Sequence, residues 1–214
     1  MKSMKVARLN GGPEIFYTLQ GEGKNVGTPS VFVRLSLCNL YCHWCDTDYT
    51  WNWEGTNFVS DRGIKFKKSE QIIEMTPAEV MAEVKKYNCR NIILTGGEPM
   101  LQQDALVQLM ELEPTYHYEV ETNGTIVPKE AFAELISQYN VSAKLENSGN
   151  KLNHRERPDA MRFFANDPKA YFKFVVVTPE DLNEVEGLIA KYNIKRVYLM
   201  PEGVTPEELQ AKSV

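Results

Sequence analysis

The sequence has few metal-binding side chains, no long apolar run and no excess of positive charge. It contains only four cysteines and three histidines, and no apolar run approaches the roughly 18 residues of a membrane-spanning helix. It also lacks the apolar core of a signal peptide. A formal net charge of −5 argues against a nucleic-acid surface, which is normally basic. We therefore expect a cytoplasmic protein that binds neither membrane nor nucleic acid, with its thiols kept reduced.

The length and composition predict one soluble globular domain. A chain of 214 residues buries most of its apolar surface in a single core. Its content of 43% hydrophobic and 25% charged residues is ordinary for that class. Within the predicted domain, residues 1–214, we interpret residues 49–75 as an excursion that covers a site. Residues 204–214 contain a helix start, Thr-Pro-Glu-Glu at 205–208, followed by only six residues.

After the excursion, apolar strands alternate with helical segments. A capping box, Thr76-Pro77-Ala78-Glu79, predicts the start of one helix, and we expect another over residues 128–139. Strands are predicted at residues 30–37, 91–94, 116–120, 141–144, 171–177 and 196–200. This alternation is typical of parallel strands joined by right-handed crossovers. Six helix-linked strands predict an α/β fold, a partial (β/α)6 barrel that is open on one side.

Polar and glycine-rich segments follow the predicted strands at the point where each strand ends. They are the loop after residue 37, Thr-Gly-Gly-Glu-Pro at 95–99, Glu-Thr-Asn-Gly at 121–124, Ser-Ala-Lys at 142–144 and Met-Pro-Glu-Gly at 200–203. In barrels of parallel strands, the active site lies at these carboxyl ends. The sequence therefore predicts one site that all five segments share.

Three of the four cysteines lie in the first of these segments. Cys38, Cys42 and Cys45 have the spacing C-x3-C-x2-C, and thiolates this close together bind one soft metal centre. A closed zinc site usually takes four ligands from paired modules, whereas Cys89 is 44 residues beyond Cys45. An iron–sulfur cluster with one open iron therefore fits better than zinc, although a zinc site completed by His43 stays open at this point.

The cysteine spacing after a strand, together with the five-residue string at 95–99, resembles the radical S-adenosylmethionine (SAM) superfamily. The Leu-Gln-Gly-Glu-Gly loop at 19–23, Arg34 and Asp46-Thr47 narrow the resemblance to the 7-carboxy-7-deazaguanine synthase family. That resemblance implies a carbon–nitrogen lyase of the queuosine and 7-deazapurine pathways. Such an enzyme converts 6-carboxy-5,6,7,8-tetrahydropterin into 7-carboxy-7-deazaguanine and releases ammonia. It uses a [4Fe–4S] cluster, SAM and Mg²⁺.

The resemblance also implies a role for individual residues. Cys38, Cys42 and Cys45 would ligate the cluster, and Thr47 would ligate Mg²⁺. The residues implied to contact the substrate are Leu19, Gln20, Gly21, Glu22, Arg34 and Thr95. Those implied to contact SAM are Trp44, Cys45, Asp46, Gly96, Gly97, Glu98, Glu121, Ser142, Lys144 and Met200. The family often has Ser-Pro-Lys where this chain has Ser142-Ala143-Lys144, so Ser142 and Lys144 match its pattern less closely.

The family's partners are a small pterin, a reducing protein of the flavodoxin or ferredoxin type, and a second copy of the chain in a homodimer. Two alternatives remain open from the sequence. A glycyl-radical activase shares the cysteine spacing but acts on a protein. A non-enzymatic binding module would hold zinc through Cys38, Cys42, Cys45 and His43.

Overall fold

The structure, a computed structural model, describes residues 3–203 and 205–212. Its strands, in chain order, are β1 (Met4–Leu9), β2 (Gly12–Pro13), β3 (Ile15–Leu19), β4 (Pro29–Leu35), β5 (Ile72–Met75), β6 (Asn91–Gly96), β7 (His117–Thr122), β8 (Gln138–Val141), β9 (Ala170–Val176) and β10 (Val197–Pro201). Its α-helices are α1 (Lys68–Gln71), α2 (Pro77–Val84), α3 (Gln103–Glu111), α4 (Glu130–Leu135), α5 (Leu152–Arg155), α6 (Pro158–Asn166), α7 (Asp181–Tyr192) and α8 (Pro206–Lys212).

Six parallel strands form the centre of the sheet, in the order β4-β6-β7-β8-β9-β10. The strands β1 and β3 each pair antiparallel with β4, and β5 pairs antiparallel with β1. Within the described residues, β10 pairs only with β9, so the sheet does not close on itself. The predicted partial barrel of six strands, open on one side, is confirmed.

The apolar core lies between the sheet and the helices, because alternate residues of each strand face opposite sides. On β7, Tyr118 and Val120 point outward and pack with Leu106 of α3 and Phe132 of α4. The predicted capping box at the start of α2 is present, with Thr76 and Glu79 each bonded to the other's backbone N–H. No helix among the described residues is long and apolar enough to cross a membrane.

The prediction of one helix over residues 128–139 is wrong in its length. Helix α4 ends at Leu135, the backbone at Ile136 is extended, and β8 already occupies residues 138–141 instead of the predicted 141–144. Tyr139 is fully buried and packs edge-on against the ring of Phe164. Burial of Ile136 and Tyr139 in the shared core therefore overrides the local helical preference of the segment.

Two segments lie outside the six parallel strands: the excursion at residues 49–75 and the end of the chain at residues 204–214. The excursion begins inside a short 3-10 turn at Asp48–Thr50 and then contains α1 and β5. One bridge, between Trp53 and Phe66, pairs two of its segments with each other. At the other end of the chain, the predicted helix start corresponds to α8, while residues 204, 213 and 214 of that prediction lie outside the described residues.

Candidate active site

A cavity of about 350 Å³ opens at the carboxyl ends of the parallel strands. All five polar segments that the sequence analysis placed at strand ends contribute to its wall. The wall comprises Glu22, Arg34, Cys38, Leu40, Cys42, Trp44, Cys45, Asp46, Thr47, Trp51, Thr95, Gly96, Gly97, Glu121, Thr122, Asn123, Ser142, Lys144, Lys173, Val175, Met200, Pro201, Glu202 and Gly203. The predicted convergence of these segments on one site is therefore present in the structure.

The three cysteines of the loop after β4 face this cavity, and an N–H group lies against each sulfur. The backbone N–H of Leu40 donates to Cys38 Sγ over 3.4 Å. The side-chain amide of Asn150 donates to Cys42 Sγ over 3.3 Å, and the indole of Trp51 donates to Cys45 Sγ over 3.4 Å. Such donors stabilise negative charge on sulfur, so this arrangement suits three thiolate ligands of an iron–sulfur cluster.

Burial makes an unligated thiolate unfavourable in this loop. It raises the pKa of Cys38, with the carboxyl of Glu98 as the next cause. Burial likewise raises the pKa of Cys42, against the attraction of Lys144 and the bond from Asn150. Because metal binding replaces the thiol proton, a bound cation would offset the cost that burial imposes on these thiolates.

His43 is not available to complete a zinc site. Its Nδ1 lies 2.6 Å from a carboxylate oxygen of Asp61, and its Nε2 lies 2.6 Å from the carbonyl oxygen of Asn147. Within the described part of the chain, no three His, Cys, Asp or Glu side chains converge on a point that could hold one ion. A cluster spreads its three thiolates around several irons, so this finding disfavours the zinc-stapled module and not the cluster.

The excursion covers the cysteine loop with aromatic side chains. Phe58 stacks on Tyr41 of the loop with ring centroids 3.5 Å apart and meets Trp51 edge-on. Trp51 is only 2% exposed. Asp48, fully buried, anchors the excursion by accepting a 2.6 Å bond from Ser60. These contacts exclude water from one side of the cysteines.

The glycines of the second segment pack directly on the backbone that leads into Cys38. Gly96 has φ +131°, and a Cβ there would lie 2.0 Å from the carbonyl oxygen of Leu35. A Cβ on Gly97 would lie 2.1 Å from the carbonyl oxygen of Leu37. Only glycine permits this approach, which brings the free edge of the segment to the cavity beside the cysteines.

Glu98 of the same segment serves the fold of the site and does not line the cavity. It is fully buried, and its carboxylate accepts bonds from the Met100 N–H, the Thr122 hydroxyl and the Asn123 N–H. Burial raises its pKa although these three donors oppose the shift. Glu98 therefore ties the end of β6 to the end of β7.

Arg34 reaches the cavity from β4 and is oriented by a carboxylate behind it. Its Nε donates a 2.6 Å bond to Glu14, and the other oxygen of Glu14 accepts a 2.7 Å bond from the Tyr49 hydroxyl. Burial lowers the pKa of Arg34, but the interactions with Glu14, Tyr49 and Asp46 together outweigh it and the net pKa is raised. Because Glu14 engages Nε, the two terminal amino groups are the part of the guanidinium left for an anionic ligand.

Charged and polar pairs line the remaining wall. Lys173 on β9 donates a 2.5 Å bond to Glu22, and Thr95 donates a 2.6 Å bond to Glu121. Burial and repulsion by Glu22 raise the pKa of Glu121, while the bond from Thr95 opposes the shift. The wall thus offers both acceptors and cations to a compact, polar molecule.

Most of the residues singled out from the sequence meet in this cavity. Four do not line it: Leu19, Gln20, Gly21 and Glu98. Leu19 is 59% exposed, and Gln20 is buried beneath the cavity wall. The sequence analysis missed Glu14, Lys173 and Asn150, since each lies in a strand or loop with no motif of its own. The one sequence feature that could have indicated a site residue was a charged side chain within an apolar strand. This feature describes Lys173 as well as Arg34.

Comparison with known proteins agrees with this geometry. The sequence signature of the Radical SAM superfamily matches residues 33–145. A 7-carboxy-7-deazaguanine synthase of Halobacterium salinarum is 39% identical over 93% of this chain and 79% of its own length. One from Pyrobaculum aerophilum is 37% identical over 91% and 80%. The crystal structure of QueE from Escherichia coli superimposes with a TM-score of 0.68 at 25% identity, covering 99% of this chain and 88% of that one. The chain belongs to the radical SAM superfamily and, within it, to the 7-carboxy-7-deazaguanine synthase family.

Proposed function

We propose that this radical SAM enzyme converts 6-carboxy-5,6,7,8-tetrahydropterin into 7-carboxy-7-deazaguanine with loss of ammonia. The observation that carries the proposal is the shared cavity. Three cysteines, the glycine segment at 96–97, and the side chains Arg34, Glu22 and Lys173 all face it. Identities of 39% and 37% to 7-carboxy-7-deazaguanine synthases over most of the chain disfavour the glycyl-radical activase.

Membership of the superfamily implies a [4Fe–4S] cluster and SAM, and the three hydrogen-bonded cysteines fit the cluster. Bound together and given one electron by an external donor, the two would supply the radical chemistry that removes a hydrogen atom from the substrate. The protein's contribution is to bind, orient and keep out water. We assign SAM to the wall formed by Trp44, Asp46, Gly96, Gly97, Glu121, Ser142, Lys144 and Met200. Glu98 supports that wall from behind.

The substrate carboxylate is assigned to Arg34. Its terminal amino groups form a planar pair that matches a carboxylate in a bidentate manner, and Glu14 and Tyr49 hold the guanidinium in place. Glu22, the one residue of the loop at 19–23 that lines the cavity, and Thr95 are assigned to the rest of the pterin, with Glu22 as the acceptor for its N–H groups. The bond from Lys173 holds the Glu22 carboxylate in position.

We also propose that Thr47 ligates a Mg²⁺ ion shared with the substrate carboxylate. Thr47 lines the cavity, and its hydroxyl lies 3.7 Å from the sulfur of Cys45. A hydroxyl beside a substrate oxygen suits Mg²⁺, which prefers oxygen ligands and retains water.

Three further proposals concern the setting of the enzyme. Free cysteines at 38, 42, 45 and 89 support a reducing, cytoplasmic location. One-electron cleavage of SAM requires an external donor, for which a flavodoxin or ferredoxin is the natural class. Exposed apolar side chains at Tyr17, Leu19 and Val26 support a homodimer, which sedimentation equilibrium tests.

Anaerobic turnover tests the proposed reaction. The reconstituted protein is given SAM, Mg²⁺ and a reductant, with either the carboxylated tetrahydropterin or the same pterin lacking the carboxylate. We expect 7-carboxy-7-deazaguanine from the first and no deazapurine from the second. Arg34→Ala should raise the KM for the pterin roughly 10- to 100-fold, the equivalent of losing hydrogen bonds to a charged group. Formation of 5′-deoxyadenosine without any deazapurine would refute the assigned substrate.

A further inference from the structure

Below the cavity, the inner face of the barrel carries a buried polar cluster in place of an apolar filling. Glu119 on β7 and Gln138 and Asn140 on β8 point inward, and each is at most 3% exposed. Glu119 lies opposite Gln138 in the parallel register. The neighbouring residues Tyr118 and Tyr139 point the other way, into the apolar core. A buried carboxylate among neutral amides needs several hydrogen bonds to remain charged.

Glu119 receives those bonds from five sides. One oxygen accepts from Asn25 over 2.6 Å and lies 3.3 Å from the Nε2 of His117. The other accepts from the amides of Gln20, Gln138 and Asn140 over 3.2, 3.2 and 3.1 Å. Burial raises the pKa of Glu119, but the bonds, led by those from His117 and Asn25, outweigh it and the net pKa is lowered.

Two of the five donors belong to the loop that joins β3 to β4. Gln20 and Asn25 sit on either side of Glu22, so Glu119 holds both arms of the loop at once. Gln20 also bonds to Glu22 directly, because its side-chain oxygen accepts from the Glu22 N–H over 3.0 Å. A chain of contacts thus runs from Glu119 through Gln20 to the backbone of Glu22.

Steric fit gives independent support for this docking. Gly23 has φ +67°, and a Cβ there would lie 2.1 Å from the Asn140 side-chain oxygen and 2.9 Å from the Gln138 amide nitrogen. The loop therefore rests directly on the same β8 side chains that bond to Glu119. On its upper side the loop presents Glu22 to the cavity, where Lys173 meets it.

We infer that Glu119 is a positioning residue for the substrate. Through Gln20 and Asn25 it holds the loop inside the barrel, and this fixes the position at which Glu22 contacts the pterin. The inference rests on the proposed function, since that function assigns Glu22 to the substrate. Glu119 itself touches neither the cavity nor any residue assigned to SAM. Its loss should therefore weaken binding of the pterin and leave binding of SAM intact.

The substitution Glu119→Gln isolates this role. An amide of the same shape places an NH₂ group where a carboxylate oxygen now accepts, and that group then faces other donors. At least one of the loop amides loses its acceptor as a result. The backbone register of β7 and its outward side chains are unchanged by the substitution, so the effect should concentrate in the loop.

Two measurements on the reconstituted enzyme test the inference. Hydrogen exchange of the peptide covering residues 20–28 should accelerate in Glu119→Gln, while the peptide covering 91–96 stays as in the wild type. The KM for the pterin should rise about tenfold, as for one hydrogen bond to a charged group, while the KM for SAM changes less than twofold. Glu111→Gln, an exposed site on α3, is the matched control and should change neither.

A charge exchange tests the direct link between the two side chains. Gln20→Glu alone sets two carboxylates face to face and should release the loop, and combining it with Glu119→Gln should restore part of the exchange protection. Unchanged exchange in residues 20–28 of either single variant would overturn the inference. So would equal increases in both KM values, or a double variant no better protected than Gln20→Glu. If the wild type makes no deazaguanine, the proposed function fails, whereas the exchange data still decide whether Glu119 holds the loop.

Discussion

The amide of Asn150 offers a quantitative test of how the protein prepares the cluster site. Its Nδ2 lies 3.3 Å from Cys42 Sγ, and its Oδ1 accepts from the N–H of Tyr41 over 2.9 Å. A donor beside a cluster ligand stabilises the reduced cluster more than the oxidised one, because reduction adds negative charge to the sulfur ligands. Asn150→Ala removes that donor, so the midpoint potential of the cluster should become more negative.

The size of the shift follows from the strength of the bond. A hydrogen bond to a charged group contributes about 1.5–3 kcal/mol, and we take roughly 1 kcal/mol of it as the part that grows on reduction. Since about 1.4 kcal/mol corresponds to ~59 mV for one electron, the expected shift is about 40 mV. It is measured by an anaerobic redox titration, followed through the electron paramagnetic resonance of the reduced cluster.

A second variant separates the two bonds that Asn150 makes. Asn150→Asp keeps an oxygen for Tyr41 and turns the other oxygen, with its negative charge, toward Cys42, so the potential should fall further than in Asn150→Ala. Asn166→Ala, which removes an exposed amide bonded to Arg162, should leave the potential unchanged. An unchanged or less negative potential in Asn150→Ala would refute the reasoning. A shift in Asn150→Ala without one in Asn150→Asp would assign the effect to the Tyr41 anchor.

Three other predictions follow from the site. Gly97→Ala forces a Cβ toward the Leu37 carbonyl, so it should lower the free energy of unfolding by about 1–3 kcal/mol and raise the KM for SAM. Denaturant titration measures the first effect and steady-state kinetics the second. A variant with wild-type stability and wild-type KM would contradict the close packing. Thr47→Ala should keep the absorbance of the cluster but weaken the response of turnover to Mg²⁺, and an unchanged response would remove Thr47 from the metal site. Glu121 has a raised pKa, so between the ordinary glutamate range near ~4.3 and its raised value the unfolded state is ionised while the folded state keeps the proton. The contribution of Glu121 to the free energy of unfolding therefore falls as pH rises through that window. Glu121→Gln should remove this fall, so the difference in stability between wild type and variant should change between pH 5 and 8. A difference that stays constant over that range would contradict the raised pKa of Glu121.

Structural features whose causes lie within a few residues of each other could be predicted from the sequence. The cysteine spacing, the glycines at 96–97 and the capping box at Thr76 are local patterns with local causes, and each appears where it was expected. The alternation of strands and helices was enough to predict six parallel strands in an open partial barrel. Arg34 was identified through its match to the family pattern, although the sequence did not indicate that Glu14 would pair with it.

Features that depend on distant residues could not be predicted in the same way. The helix at 128–139 was predicted too long because the burial of Tyr139 is decided by Phe164, far along the chain. Asn150 lies in a segment that reads only as a polar loop, and its contact with Cys42 spans 108 residues. Glu119 bonds to Gln20 across 99 residues. Each of these roles arises from the packing of strands against one another, which no local pattern records.

The transfer of hydrogen from substrate to cofactor tests the central claim most directly. The reconstituted enzyme is supplied with SAM and with 6-carboxytetrahydropterin deuterated at its ring carbons, and the 5′-deoxyadenosine is analysed by mass spectrometry. If the cysteine loop, the glycine segment and Arg34 serve one shared cavity, deuterium should appear in the 5′-deoxyadenosine and 7-carboxy-7-deazaguanine should form with it. Unlabelled 5′-deoxyadenosine formed without any deazaguanine would contradict the account.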